Sequence, residues 1–107
     1  MHSIRLEKLL ALYEENPTDS FINFALAKEY ELNNNLNKAI QLLEKLIITN
    51  PNYLGTYLHL AKLYEKNGEI KKALNIYEKG LIVAKHAKDL HSLSELKNAK
   101  MNLELEE

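Results

Sequence analysis

The chain has no cysteine, and only two prolines and three glycines occur among its 107 residues. Without cysteine it can form no disulfide bond, thiolate metal site or cysteine nucleophile. So few glycines and prolines do not suit an all-β protein, which needs many tight turns. No apolar run approaches the roughly 20 residues that a membrane-spanning helix requires, and Glu7 and Lys8 interrupt the first apolar residues where a secretory signal would need continuity. We therefore expect a soluble, cytoplasmic protein.

A strong charge of one sign is also missing. The 14 basic residues nearly cancel the 15 acidic ones, which gives a net charge of −1, and Arg5 is the only arginine. Such a chain has no field that would attract phosphate backbones or anionic lipid. We expect neither nucleic acid nor membrane as a partner. The many lysines and asparagines beside one arginine suggest a bacterial source.

The common catalytic patterns are absent from the sequence as well. It has no glycine-rich phosphate loop, no Gly-x-Ser-x-Gly elbow and no histidine-centred triad. The histidines do not have the three- or four-residue spacing of metal ligands on one helix face; they are His2, His59, His86 and His91. We expect no catalytic residue, no metal and no cofactor, and so no enzyme.

What the chain does have is helical periodicity. Apolar residues recur at intervals of three and four and predict six helices with no strand. Asn16-Pro17 and Asn50-Pro51 interrupt the pattern, because proline disfavours helical geometry in the residue before it. The predicted N-caps are Ser3, then Thr18 or Asp19, then Asn52, and finally Asp89.

Two stretches repeat each other at an offset of 34 residues. A period of this size is typical of repeats built from a pair of helices, neither of which can bury its apolar face alone. Asn34 aligns with Gly68, and both residue types tolerate the left-handed backbone that ends a helix. The matching pairs are Pro17/Pro51, Leu26/Leu60, Ala27/Ala61, Lys28/Lys62, Tyr30/Tyr64, Ala39/Ala73 and Glu44/Glu78.

Small residues recur at fixed places in the period. Where two helices cross closely, the side chain at the contact must be small or the axes are pushed apart. Glycine within a helix costs about 1 kcal/mol relative to alanine, so Gly80 should have a compensating close contact. The predicted contact residues are Ala27, Ala39, Ala61, Ala73 and Gly80.

These residues resemble the tetratricopeptide repeat family. A repeat that starts at Leu54 matches the family pattern through Tyr57, Leu60, Ala61, Tyr64, Ala73, Tyr77 and Gly80, and departs at Lys85, where proline is frequent. A repeat that starts at Ser20 matches through Leu26, Ala27, Tyr30, Ala39, Leu43 and Pro51, and departs at Asn23 and Leu46. Residues 3–17 match only a second helix, through Leu9, Leu12 and Pro17, with Arg5 in a small-residue position.

The resemblance implies an all-α array of antiparallel helix hairpins with right-handed superhelical stacking. We expect one domain over residues 1–107. Its parts are an N-terminal half-repeat helix over 3–16, repeats over 20–53 and 54–87, and a C-terminal capping helix over 88–105.

The resemblance also implies a concave groove, lined by the first helix of each repeat, that binds a peptide or helix of another protein. An alternative is that the two phenylalanines pack under the N-terminal helix and the charges are only solvated. The groove candidates are Phe21, Phe24, Lys28 and Glu31 from one repeat, and Leu58, His59, Lys62 and Glu65 from the next.

One subtype of the family binds the C-terminal carboxylates of heat-shock chaperones through lysines and asparagines. The chain does not fit it, because Phe24 replaces a lysine, while Lys28 and His59 stand where asparagines belong. Lys28 and Lys62 leave a weaker preference for acidic peptides open. The other function left open is self-association, with a homodimer formed through the terminal helices.

Overall fold

The computed structural model describes residues 3–106, which form six α-helices and no strand. The prediction of an all-α chain is confirmed. Within each half of the chain, up to Tyr53 and from Leu54, short connections of two to four residues join the helices, as in antiparallel hairpins. The helices are α1 (Ile4–Glu15), α2 (Ser20–Leu32), α3 (Leu36–Thr49), α4 (Gly55–Lys66), α5 (Ile70–Ala87) and α6 (Leu90–Glu106). No described helix has the length and apolar character needed to cross a membrane.

Side-chain caps begin three of the helices where the sequence predicts them. Ser3, Asp19 and Asp89 each accept a hydrogen bond from the backbone N–H three residues later, at 3.2, 2.9 and 3.0 Å. This satisfies one of the donors that the first turn of a helix leaves free. The bond from the Ser92 backbone lowers the pKa of Asp89, as a carboxylate that accepts hydrogen bonds should show.

The predicted cap at Asn52 is wrong. Helix α4 begins at Gly55, and its N-cap is Leu54, which makes no side-chain capping bond. Asn52 lies instead within a turn that the Tyr53 N–H closes on the Asn50 carbonyl at 3.1 Å. The chain therefore needs two more residues before its helical geometry resumes.

The turns between paired helices use the predicted left-handed residues. Asn34 has φ 62° and Gly68 has φ 77°, so the alignment of these residues in the repeat is confirmed. A third left-handed residue, Lys88 at φ 56°, ends α5. With Lys85 in the proline position, α5 extends to Ala87 and is 18 residues long.

The chain divides into two compact units, one up to Tyr53 and the other from Leu54 onward. In the first unit α2 packs against both α1 and α3, and in the second α5 packs against α4 and α6, with α4 also touching α6. The buried apolar residues of the first unit are Leu26, Ala27, Ala39, Ile40, Leu43 and Leu46. Those of the second are Tyr57, Leu60, Ala61, Leu63, Tyr64, Ala73, Ile76, Tyr77, Ala84, Leu96 and Leu103.

Gly80 occupies the close contact that the sequence predicts. A Cβ atom at this position would lie 2.7 Å from the Tyr57 Cβ and 3.1 Å from the Leu96 Cδ1. Helices α4 and α6 therefore both approach the α5 backbone at the one residue that has no side chain. The predicted alanine contacts are buried too, with no exposed surface at Ala27, Ala39, Ala61 or Ala73.

Asn23 departs from the family pattern, and its hydrogen bonds show what it does in the fold. It stands where a large apolar residue is usual, yet it is only 4% exposed. Its side-chain amide donates to the Pro17 carbonyl at 3.0 Å and to the Asp19 carbonyl at 2.8 Å. Two carbonyls of the turn between α1 and α2 thus satisfy the amide nitrogen, while the Asn23 Oδ1 is buried without a hydrogen-bond partner in the described part of the chain.

Candidate functional site

The candidate residues of the first repeat lie on α2 and differ in how far they are exposed. The Phe24 ring is half-buried and packs on the Tyr53 ring, with 5.6 Å between centroids. The Lys28 Nζ lies 5.5 Å from the Phe24 centroid, a cation–π arrangement. Phe21 is 68% exposed, so it does not pack under α1. Glu31 is half-buried one turn further along.

The spacing of these residues places them on one side of the helix. Positions three and four apart are neighbours on a helix surface, so Phe21, Phe24, Lys28 and Glu31 form a continuous stripe. Its N-terminal end is aromatic and its C-terminal end is charged. Such a stripe can contact an apolar side chain through the exposed ring and a carboxylate through the ammonium group.

The candidate residues of the second repeat lie on α4. Leu58 is half-buried and lines a small hollow of about 40 Å³ between α4 and α6. His59 is half-buried and Lys62 is exposed. Glu65 is half-buried, and its Oε2 accepts a short hydrogen bond from the Tyr77 hydroxyl of α5. The stripe on α4 therefore offers apolar and ammonium groups, while the His59 Nε2 is buried and the Glu65 carboxylate is engaged within the unit.

The bond between Tyr77 and Glu65 distinguishes the two repeats. Burial of the ring, followed by the adjacent Glu65 carboxylate, raises the pKa of Tyr77, so the hydroxyl stays protonated and acts as a donor. In the first repeat Leu43 stands where Tyr77 does, and it has no hydroxyl for Glu31. Equivalent glutamates of the two stripes thus have different surroundings.

No sequence pattern predicts the packing of Tyr53 against Phe24. The residue 34 positions earlier is Asp19, which caps α2 instead of supplying a ring. The repeat period therefore could not reveal the aromatic pair. Only the turn after α3 brings the Tyr53 ring back onto α2.

Glu29 is a second residue that the sequence analysis missed. Its residue exposure is 6%, and its carboxylate accepts from the Ser3 hydroxyl at 3.1 Å and from the Asn33 amide at 3.2 Å. The Arg5 guanidinium lies 3.5 Å away. Leu63 occupies the equivalent position of the second repeat. A charged residue at a position where the other repeat has a leucine could have marked Glu29 as unusual in the sequence. Glu29 fastens the start of α1 to the end of α2.

The remaining titratable groups form no ligand cluster. Among residues 3–106 no group of three or more His, Asp or Glu side chains could hold a metal ion. His86 and His91 are exposed, and the His91 Nε2 lies 3.3 Å from Glu95 one turn along α6. His2 lies outside the described residues.

Comparison with known proteins agrees with this geometry. The family model described as "Tetratricopeptide repeat" matches residues 32–96. A tetratricopeptide repeat domain protein from Salinibacter ruber, solved by crystallography, is 40% identical, with a TM-score of 0.79, and the match covers 83% of this chain and 99% of that one. The solution structure of the Salinibacter ruber domain also matches at 40% identity, with a TM-score of 0.83 and coverage of 86% and 93%. No curated protein matches the chain.

A third solved structure extends the likeness over almost the whole fold. This solution structure of a protein from Bordetella parapertussis is 24% identical, with a TM-score of 0.83, and the match covers 99% of this chain and 91% of that one. The chain belongs to the tetratricopeptide repeat family. Proteins of this family are in general non-catalytic modules for protein–protein interaction.

Proposed function

We propose that the chain binds a peptide or helical segment of another protein through the first helices of its two repeats, α2 and α4. Membership of the family supports this choice of helices, because tetratricopeptide repeats usually bind through the first helix of each pair. The proposed contact residues are Phe21, Phe24, Lys28 and Glu31 on α2, and Leu58, His59, Lys62 and Glu65 on α4. The proposed repeats span 20–53 and 54–87, between a half-repeat helix (3–16) and a capping helix (88–105), in a cytoplasmic protein.

The observation that carries this proposal is the exposure of Phe21. A phenylalanine that is 68% exposed, beside a half-buried aromatic pair, leaves apolar surface in water. Burial of apolar surface contributes about 25 cal/mol per Å², and aromatic side chains are enriched in the cores of protein interfaces. The Lys28 ammonium over Phe24 adds a positive charge at the edge of this surface.

Affinity purification from the native cell, with quantitative identification of co-eluting proteins, tests the proposal. We expect a partner that the parent protein recovers and that a Phe21→Ser, Lys28→Glu variant recovers much less. Both residues are exposed, so the fold should survive their replacement. Lys8→Glu is the matched control, because Lys8 is an exposed lysine of the same unit on α1. Equal recovery by all three proteins would reject the contact residues on α2.

A second candidate function, self-association, is favoured by the terminal helices. Both expose large apolar side chains: Ile4 is 73% exposed on α1, and Leu90 and Leu105 are 77% and 78% exposed on α6. Two copies that bury these side chains against each other would form a homodimer. Light scattering over a concentration series tests this function, and a monomer at every concentration would remove it.

A further inference from the structure

A second surface of the first unit has the character of a binding site. Helices α1, α2 and α3 enclose an open cleft of about 340 Å³, here named the α1–α3 cleft. This volume lies at the lower end of the range for ligand pockets, roughly 300–1,000 Å³. The lining residues are Leu10 and Tyr13 of α1, Leu26 and Tyr30 of α2, and Lys38, Gln41, Leu42 and Lys45 of α3.

The α1–α3 cleft lies on the other side of α2 from the stripe described above. At 3.6 residues per turn, Leu26 and Tyr30 point away from the side of α2 that carries Phe24 and Lys28. The cleft is therefore a separate surface. A ligand bound there would not touch the first-helix residues of the proposed function.

Among the described residues, the charged ones that line the cleft are two lysines. The Lys38 Nζ lies 5.3 Å from the Tyr30 ring centroid, and the Lys45 Nζ lies 5.4 Å from that of Tyr13. The Lys45 ammonium also donates to the Tyr13 hydroxyl at 3.1 Å. Both positive charges thus stand at the edge of an apolar, aromatic cleft.

The spacing of these residues indicates the shape of a ligand. Lys38, Gln41, Leu42 and Lys45 occupy positions i, i+3, i+4 and i+7 of α3, which form one stripe along the helix. A rise of about 1.5 Å per residue separates the two lysines by about 10 Å along the axis. A helix lying beside α3 would meet both charges if its own acidic residues were also seven positions apart.

We propose that the α1–α3 cleft binds an acidic amphipathic helix of another protein. Two carboxylates, seven residues apart, pair with Lys38 and Lys45. Apolar side chains between them enter the cleft and cover Leu10 and Leu42. The charge complementarity selects an acidic partner, and the apolar floor selects one with leucine-like side chains between its acidic residues.

A designed peptide tests this proposal. The probe is a fluorescently labelled, alanine-based helical peptide of about 16 residues, with two glutamates seven positions apart and two leucines between them. The control peptide has glutamines in place of the glutamates. Titration with the full chain, followed by fluorescence anisotropy, should show that the glutamate peptide binds about fivefold tighter or more.

Variants of the chain locate the binding. The double variant Lys38→Glu, Lys45→Glu should weaken binding of the glutamate peptide by about tenfold or more. Both lysines are exposed, and circular dichroism checks that the variant is folded. Lys8→Glu, a lysine of α1 that does not line the cleft, should bind as the parent does. The double variant Lys28→Glu, Lys62→Glu should also bind as the parent does, because these lysines lie on the proposed contact surfaces of α2 and α4.

Several results would overturn the proposal. Equal binding of the two peptides, or no binding, would remove the acidic helix as the occupant. If only the double variant Lys28→Glu, Lys62→Glu lost binding, the peptide would bind to the contact surfaces of α2 and α4, which would support the proposed function instead. A concentration-dependent dimer that Lys38→Glu, Lys45→Glu dissolves would show that a second copy occupies the cleft. Failure here leaves the proposed function standing, because the affinity experiment uses different residues.

Discussion

The contact at Gly80 allows a quantitative prediction for Gly80→Ala. The new Cβ would lie 2.7 Å from the Tyr57 Cβ, which no rotation of the tyrosine side chain can move. Overpacking of this kind costs about 1–3 kcal/mol, while alanine in place of glycine favours the helix by about 1 kcal/mol. The net loss in the free energy of unfolding should therefore lie between about 0 and 2 kcal/mol.

A pair of variants at the neighbouring position separates the two contributions. Lys79 is exposed on the same helix, so the difference in stability between Lys79→Ala and Lys79→Gly measures helix propensity alone. Alanine should be favoured there by about 1 kcal/mol. The difference between this value and the effect of Gly80→Ala gives the cost of the contact.

Urea unfolding followed by circular dichroism, with thermal melts beside it, measures these differences. A loss of 1 kcal/mol should lower the melting temperature by about 4–8 °C in a domain of about this size. If Gly80→Ala stabilised the chain as much as alanine does at position 79, the backbones of α4 and α5 would have room at this point. The explanation of Gly80 by close packing would then be refuted.

Three further predictions concern other contacts. Glu29→Ala should lower the free energy of unfolding by about 1–3 kcal/mol, because the Ser3 hydroxyl loses its acceptor and the Asn33 amide keeps only its bond to the backbone carbonyl of residue 29. Glu29→Gln should cost less than about 1 kcal/mol, and equal urea midpoints for the two variants would contradict this. Ala73→Leu should cost about 1–3 kcal/mol by overpacking, and an unchanged melt would count against the repeat register. Folding lowers the pKa of Asp89. Its ionised form therefore stabilises the fold at pH values above the ordinary pKa of about 3.9. This contribution to stability is lost as the pH falls through the lower pKa of the folded protein. In urea unfolding between pH 7 and pH 3, the free energy of unfolding should fall less steeply with decreasing pH in Asp89→Asn than in the parent protein. Parallel pH profiles for the two proteins would show that the capping bond of Asp89 does not cause the loss.

Much of the fold follows from local rules that a sequence displays directly. The 3.6-residue periodicity predicts six helices, and the 34-residue offset aligns Asn34 with Gly68 before any backbone angle is known. Gly80 was predictable because a glycine inside a strong helix pattern needs a packing reason. These features depend on neighbours along the chain or on the repeat itself.

The candidate site was less predictable because its details break the repeat. Tyr53 packs on Phe24 although its repeat partner is Asp19. Tyr77 bonds Glu65, while Leu43 cannot do the same for Glu31. A period describes what two repeats share, whereas these contacts depend on where they differ and on side chains from other elements.

Helix α1 has no fully buried side chain of its own, and it is fastened at its start through Glu29. Local unfolding of a protein begins where few side chains are buried, so the backbone amides of α1 should exchange with solvent deuterium before those of α2 and α3. Because α1 supplies Leu10 and Tyr13 to the α1–α3 cleft, the cleft exists only while this helix is docked. A ligand in the cleft would therefore slow that exchange, which couples occupancy of the surface to the order of the N-terminal helix.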